Sequence, residues 1–282
     1  MMTKFEQGFF DRYYEKKVMV VYMRNALKKE SVDYTDMTVQ NVMIIRDYLL
    51  TKVSPNSAKT YLQALKAYLN VLKEDEIIPD KNYSKHMKVR SQPMQNVAFT
   101  EEEIARIENY YSELLGKVGH YAEKDVLCLF LIECYCGARG CDVEDLTLDN
   151  ISDGKLSYVS KKTKTLTTLP AHHRLYDLLA NKPKNTYPQS TKDRVIKRVA
   201  EKCGIDEQTT IFYRGKMRTL PKYEFVGFHC ARRSFASNLA TRNVPITTIS
   251  HFMGHNGNVK MTQRYIKVDT NAVDANTMAF FV

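Results

Sequence analysis

Residues Val126–Ile132 form an unbroken apolar run within the segment Lys124–Cys136. That run is far short of the roughly 20 residues that span a bilayer. A helix apolar on every side is stable only where other elements cover it all round. Lys124–Cys136 therefore reads as a helix central to a core. At 282 residues the chain is about two domains long. A hydrophobic share of 44% with 26% charged residues excludes disordered, collagen-like and coiled-coil chains. The amino terminus has no basic stretch leading into an apolar core, so no secretory leader is expected and the chain reads as intracellular.

Upstream of that helix the first ninety or so residues read as helical. Thr38 precedes an apolar-rich helix ending near Leu50, and Ser54-Pro55-Asn56 starts the next. Its apolar positions Tyr61, Leu62, Leu65, Tyr68, Leu69 and Leu72 follow helical spacing. Lys59, Lys66 and Lys73 recur every seven residues and share the opposite face, either a solvated face or one that meets phosphates. Residues 79–97 break the pattern: Pro79 and Pro93 bracket Lys81, Lys85, Lys88 and Arg90 among few apolar residues. This is a basic interdomain connection, with the linker proper at 93–97 between domains at 1–92 and 98–282.

The second domain opens at Thr100-Glu101-Glu102-Glu103, a capping box in which Thr100 caps the helix and Glu103 reaches back. Ile104, Ile107, Tyr111 and Leu114 form its buried stripe. Gly154 then starts a β pattern that turns near Lys161–Thr163 and returns through Leu166–Leu169 to Pro170. Helices are expected at His172–Leu179, Thr191–Cys203, Ala231–Thr241, Ile246–Met253 and around Lys260–Lys267. The fold class is mainly α with a small antiparallel β-sheet.

Basic residues outnumber acidic ones 16 to 11 in residues 1–95 and 26 to 21 beyond. Both parts are basic without a detachable tail, as suits a polyanion gripped by both. The six cysteines, at 128, 134, 136, 141, 203 and 230, include no CxxC pair. They lack zinc spacing and read as small buried residues in a reducing compartment. His251 and His255 are four apart, but Gly254 interrupts the helix and no Glu follows His251, so no metal is expected.

His229 and Arg232 are three apart at a helix start and share a face. Pro245 begins the next helix and Gly254 ends it, so His255 projects from a tight turn. Tyr265 follows ten residues later. Upstream, Arg139 lies where the buried helix gives way to a glycine-containing turn, with Asp142 placed to hold its guanidinium. Lys162 sits at the hairpin tip.

In chain order, Arg139, Lys162, His229, Arg232, His255 and Tyr265 make a set that resembles the catalytic domain of the tyrosine recombinases, the phage integrase and Xer-type family. That family's pattern runs Arg, a hairpin Lys, HxxR, Gly-His, then Tyr nine or ten residues on. The resemblance covers about residues 98–268; the helical region before it is similar, more loosely, to the family's SAM-like core-binding domain. Cys230-Ala231 stands where Asp-Leu is frequent, and Phe252-Met253 where Leu-Leu or Met-Leu is common. Neither change touches a proposed catalytic atom. Lys161, Lys162 and Lys164 crowd the hairpin; Lys162 fits best, with Lys164 as the alternative.

The resemblance implies a two-domain DNA clamp and a site-specific recombinase working through a 3′-phosphotyrosine intermediate, to integrate, excise or invert mobile or phage DNA. A Xer-like dimer resolvase and a type IB topoisomerase-like relaxing enzyme are the alternatives. Arg139 and Arg232 are expected to bind the phosphate oxygens. Tyr265 is the nucleophile, His229 its base, Lys162 the acid and His255 a phosphate and tyrosine contact, with Asp142 in support. Lys59, Lys66, Lys73, Lys85, Lys88 and Arg90 are the expected DNA contacts. No metal, cofactor or ATP is expected, nor the additional amino-terminal arm-binding domain of lambda-type integrases. The partners implied are double-stranded DNA with core sites and, on synapsed DNA, a homotetramer of chains that are monomers when free. The apolar end of the tail 270–282 is expected to dock on a neighbouring protomer. The setting is the cytoplasm, at the nucleoid, with no membrane contact.

Overall fold

The computed structural model describes residues 2–75, 77–92, 97–213 and 216–266. The chain divides into two units, one of residues 1–94 with 212–217 and the other of 95–211 with 218–282. Of the sequence expectations, most of the linker (93–96) and the docking tail (270–282) lie outside the described residues.

The first unit is built on four helices: α1 (Lys4–Arg12), α2 (Val18–Leu27), α3 (Val39–Lys52) and α4 (Pro55–Glu74). Their starts are written in the sequence. Thr3 and Glu6 form a capping box on α1, Thr38 caps α3, and Ser54 caps α4 with Pro55 in its first turn. Phe5, Phe9, Met23, Ile45, Leu62 and Leu65 meet in its core. Each such side chain contributes roughly 1.5–3 kcal/mol on full burial. Glu6 is also fully buried. Its carboxylate takes two hydrogen bonds from Arg24, both 2.7 Å, and one from the Val32 amide at 2.9 Å. Much of the basic stretch after Pro79 packs into this unit instead of running free. A short 3-10 turn, Tyr83–Met87, buries Tyr83 and Met87 in the same core, and Asn56 exchanges two hydrogen bonds with Gln92.

In the second unit α5 (Glu101–Leu115), with the expected Thr100–Glu103 capping box, leads to α6 (Tyr121–Cys136). Every residue from Val126 to Cys134 on α6 is buried. After α6 come α7 (Gly140–Val143), β1 (Ile151–Ser152), β2 (Lys155–Val159), β3 (Leu166–Pro170), α8 (Arg174–Ala180) and α9 (Gln189–Lys202). Further along the chain come β4 (Gln208–Tyr213) and β5 (Lys216–Pro221), parts of which count with the first unit, and then, in the second, α10 (Cys230–Thr241), α11 (Ile246–Phe252) and α12 (Val259–Thr262). Helices α5, α8, α9 and α10 pack around α6, as its all-round apolarity requires. Strands β1–β2–β3 form an antiparallel sheet in which Leu156 pairs with Leu169 and Tyr158 with Thr167, all four on the buried face.

Three features differ from expectation. The chain has a second, two-stranded sheet, β4–β5. Residues 217–220 of that sheet are exposed, so no buried face printed a period of two on the sequence. The last helix is shorter than expected: α12 ends at Thr262, and Tyr265 lies in the turn that follows. Of the six cysteines, Cys141 is exposed and Cys203 only partly covered; the other four are buried. No helix among the described residues is long and apolar enough to cross a membrane.

Candidate active site

Helix α6 stops because Gly137 takes a left-handed conformation, φ +63°, which frees its carbonyl from the helix. That carbonyl accepts a hydrogen bond from Nη1 of Arg232. The Nη2 of Arg232 donates to the Met253 carbonyl at 2.6 Å and lies 3.0 Å from His255 Nε2. Arg232 is wholly buried. Burial and the neighbouring Arg139 charge both work against its cation and hold its pKa below the usual value. Two guanidiniums at close quarters, one of them desolvated, form a site that favours an anion.

Arg139 sits at the start of α7 and is partly exposed. Its Nη1 donates to Ser160 Oγ at 3.0 Å, and Ser160 in turn donates to Asp142 Oδ2 at 3.1 Å. Asp142 is buried, and its other oxygen accepts from the Lys161 amide at 2.8 Å. Asp142 therefore steadies Arg139 through Ser160, at the end of β2, and not directly. Ser160 lies 21 residues from Arg139, so nothing local in the sequence marked it.

His255 follows Gly254, whose φ is +61° and whose added Cβ would lie 2.8 Å from Thr167 Oγ1 on β3. This close approach seats the turn on the sheet. His255 Nε2 faces an arginine donor and so accepts; Nδ1 then donates to Thr262 Oγ1 at 3.0 Å. Burial, Arg232 and Arg139 lower the His255 pKa to about 4, so the ring is neutral at ordinary pH.

Tyr265 is half-buried, with its carbonyl held by Ser237 at 3.2 Å. Its ring lies 5.4 Å from the Arg232 guanidinium carbon, 5.3 Å from the His255 ring and 5.6 Å from the His229 ring. His229 stands at the start of α10 with half its side chain exposed. Surrounding protein and the Arg233, Arg232 and Arg139 charges lower its pKa to about 4, so it too is neutral and can accept a proton.

The fold thus gathers Arg139, His229, Arg232, His255 and Tyr265. It does not gather Lys162, which stands exposed at the tip of the β2–β3 turn; the side-chain amine of neither Lys162 nor Lys164 makes a hydrogen bond or ion pair among the described residues. Lys161 is tied to Asp145 at 2.7 Å. Two participants escaped the sequence reading besides Ser160: Thr262, which orients His255, and Glu133, a fully buried carboxylate on α6. In the first unit, Lys73, Lys85, Lys88 and Arg90 are exposed, Lys66 is partly covered, and Lys59 donates to Ser91 at 2.7 Å.

Comparison with known proteins gives a consistent picture. The model of the phage integrase family matches residues 97–272, more than half the chain. The integrase of Escherichia phage 186 is 24% identical over 269 residues, covering 93% of this chain and 64% of that protein. The chain therefore spans just under two thirds of that relative's length. A lambda integrase dimer bound to a COC′ core site superposes with a TM-score of 0.64 at 15% identity, over 95% of this chain and 79% of that one. The XerH recombinase in a post-cleavage complex with palindromic difH gives 0.65 at 14% identity, over 96% and 80%. The Tn1549 transposon integrase with circular intermediate DNA gives 0.62 at 14%, over 99% of both chains. At such identities these likenesses speak for the fold alone.

Proposed function

The chain belongs to the phage integrase family, and from that premise we propose that it is a site-specific DNA recombinase, breaking and rejoining DNA through a 3′-phosphotyrosine bond to Tyr265. The observation that carries the proposal is the convergence of the Tyr265 ring on the buried Arg232 and on two neutral histidines.

Attack on a phosphodiester builds negative charge on the nonbridging oxygens. Arg139 and Arg232 are fixed donors for that charge, held before the substrate arrives and so without reorganisation during the step. Tyr265 Oη bonds to phosphorus as the bond to the 5′-oxygen breaks. The phenolic proton passes to His229, and Lys162 gives a proton to the leaving 5′-oxygen. Lys162 reaches that oxygen by closure of the exposed β2–β3 turn over bound DNA. Rejoining reverses these transfers, and the phosphotyrosine keeps the bond energy, so no nucleotide is consumed.

The basic residues of the first unit, Lys73, Lys85, Lys88 and Arg90 foremost, are proposed to contact the phosphate backbone. Strand exchange between two core sites is proposed to take four protomers. Acting on DNA, the protein works in the cytoplasm, at the nucleoid. The test incubates nicked duplexes from DNA flanking the gene with protein in EDTA and resolves the products on a denaturing gel. A covalent adduct from wild type that is lost in Tyr265→Phe is expected. An adduct persisting in Tyr265→Phe refutes Tyr265 as nucleophile, and no adduct on DNA that the protein demonstrably binds refutes the activity on that DNA.

A further inference from the structure

Glu133 follows directly on the apolar run of α6 and is fully buried. Both of its carboxylate oxygens lack a hydrogen-bond partner among the described residues. Leaving a buried carboxylate unpartnered costs free energy where an apolar side chain would contribute it. The carboxylate is walled in: a Cβ added at Gly140 would lie 3.6 Å from its Oε2 and 3.5 Å from the Phe228 ring. Its Oε1 lies 3.9 Å from Nδ1 of His229. That is about 1 Å beyond a hydrogen bond, a gap of the kind that closes when a site binds its substrate.

From this geometry we infer that Glu133 is a positioning residue: its carboxylate takes the Nδ1 proton of His229, fixing the tautomer that leaves Nε2 free to accept the phenolic proton of Tyr265. The inference rests on the active-site reading above and assigns a role to a residue outside it.

Charge supplies the second reason. A proton on His229 arrives among Arg232, Arg139 and Arg233, all of which oppose it. Asp193 already favours that proton, and an ionised Glu133 behind Nδ1 adds compensating charge. In the transfer, the Tyr265 O–H bond breaks and the proton moves to Nε2 of His229. The Nδ1 proton stays shared with Glu133, and the imidazolium–carboxylate pair is neutral overall. The groups that face Glu133 are Arg232 and His229 from α10, Lys192 from α9 and Asp142 from α7, together with Cys134 and Cys136 on its own helix. Burial raises its pKa to about 8 against the pull of Arg232 and Lys192, so its ionisation falls within the working range of an assay.

The test measures the rate of adduct formation on nicked duplex for wild type, Glu133→Gln and Glu133→Leu between about pH 6 and 9. Wild type should gain rate as Glu133 ionises. Both variants should lose that rise and run roughly 10–100-fold slower at the alkaline end. The Glu133→Leu chain should melt no lower than wild type, because it loses a buried carboxyl group that has no hydrogen-bond partner among the described residues; slow cleavage in a stable protein separates positioning from mere support of the fold. Nitrogen-15 spectra of the histidines in free wild-type protein should show His229 protonated at Nδ1 at alkaline pH and a mixture of tautomers in Glu133→Gln. Wild-type rates and an unchanged pH profile in Glu133→Gln overturn the inference while leaving Tyr265 chemistry intact. A wild-type protein that forms no adduct overturns both.

Discussion

Gly137→Ala tests whether the end of α6 is as constrained as its geometry requires. The residue has φ +63°, where a side chain costs about 1–2 kcal/mol. A Cβ built there lies 2.3 Å from Cδ1 and 2.7 Å from Cε1 of Phe235. Phe235 is buried in the core of the second unit and cannot swing aside freely, so overpacking adds about 1–3 kcal/mol. The sum, roughly 2–5 kcal/mol, corresponds to a fall in Tm of about 4–20 °C for a unit of this size. A thermal melt of each protein measures it. The double variant Gly137→Ala/Phe235→Leu should recover the overpacking share and keep the backbone share, so the two effects should be clearly non-additive. Cleavage should fall further than stability alone accounts for, because the Gly137 carbonyl anchors Arg232 and Arg139 follows two residues later. A Gly137→Ala protein melting within about 2 °C of wild type would refute the reasoning.

Ser160→Ala should slow cleavage about tenfold with DNA affinity little changed, since it cuts the Arg139–Ser160–Asp142 relay at one hydrogen bond to a charged group; single-turnover rates with a binding titration check this. Glu6→Gln should destabilise the protein by about 3 kcal/mol at neutral pH. Burial works to raise the Glu6 pKa, but the Arg24 pairing and the Thr3 and Val32 amides outweigh it and hold it below the usual carboxylate value. Its stabilisation is therefore complete above the ordinary carboxylate pKa and drains away as pH falls through the lowered one. The gap in Tm between wild type and Glu6→Gln should narrow in acid, and a gap constant down to about pH 2 would contradict this. Replacing the exposed Lys85 and Lys88 with Ala should weaken binding to specific and nonspecific duplexes alike. The slope of log affinity against log salt should flatten by about 0.9 for each DNA phosphate no longer neutralised, and an unchanged slope would remove those lysines from the DNA face.

How far the sequence reached is clearest at particular residues. Thr38, Ser54 and Thr100 announced three helix starts, because a cap is a local hydrogen bond between neighbours in the chain. The apolar run of α6 announced the centre of the second core, and the alternation around Leu156 and Leu169 announced its main hairpin. The set from Arg139 to Tyr265 was legible as an ordered pattern, and it lies within residues 97–272, the stretch that the phage integrase family model matches.

Tertiary structure alone decided what those residues touch. Arg232 reaches the Gly137 carbonyl across 95 positions and His255 across 23. The partner of Arg139 proved to be Ser160, which follows directly on β2 and is 21 residues away in the chain. Glu133 looked like one more helical residue until burial stripped it of water and left it facing His229. Local hydrogen bonds and apolar periodicity are properties of a segment, so a sequence carries them openly. Desolvation, orphaned polar atoms and the meeting of charges exist only after distant segments have packed, and in this site they fix which nitrogen accepts and which carboxylate waits behind it.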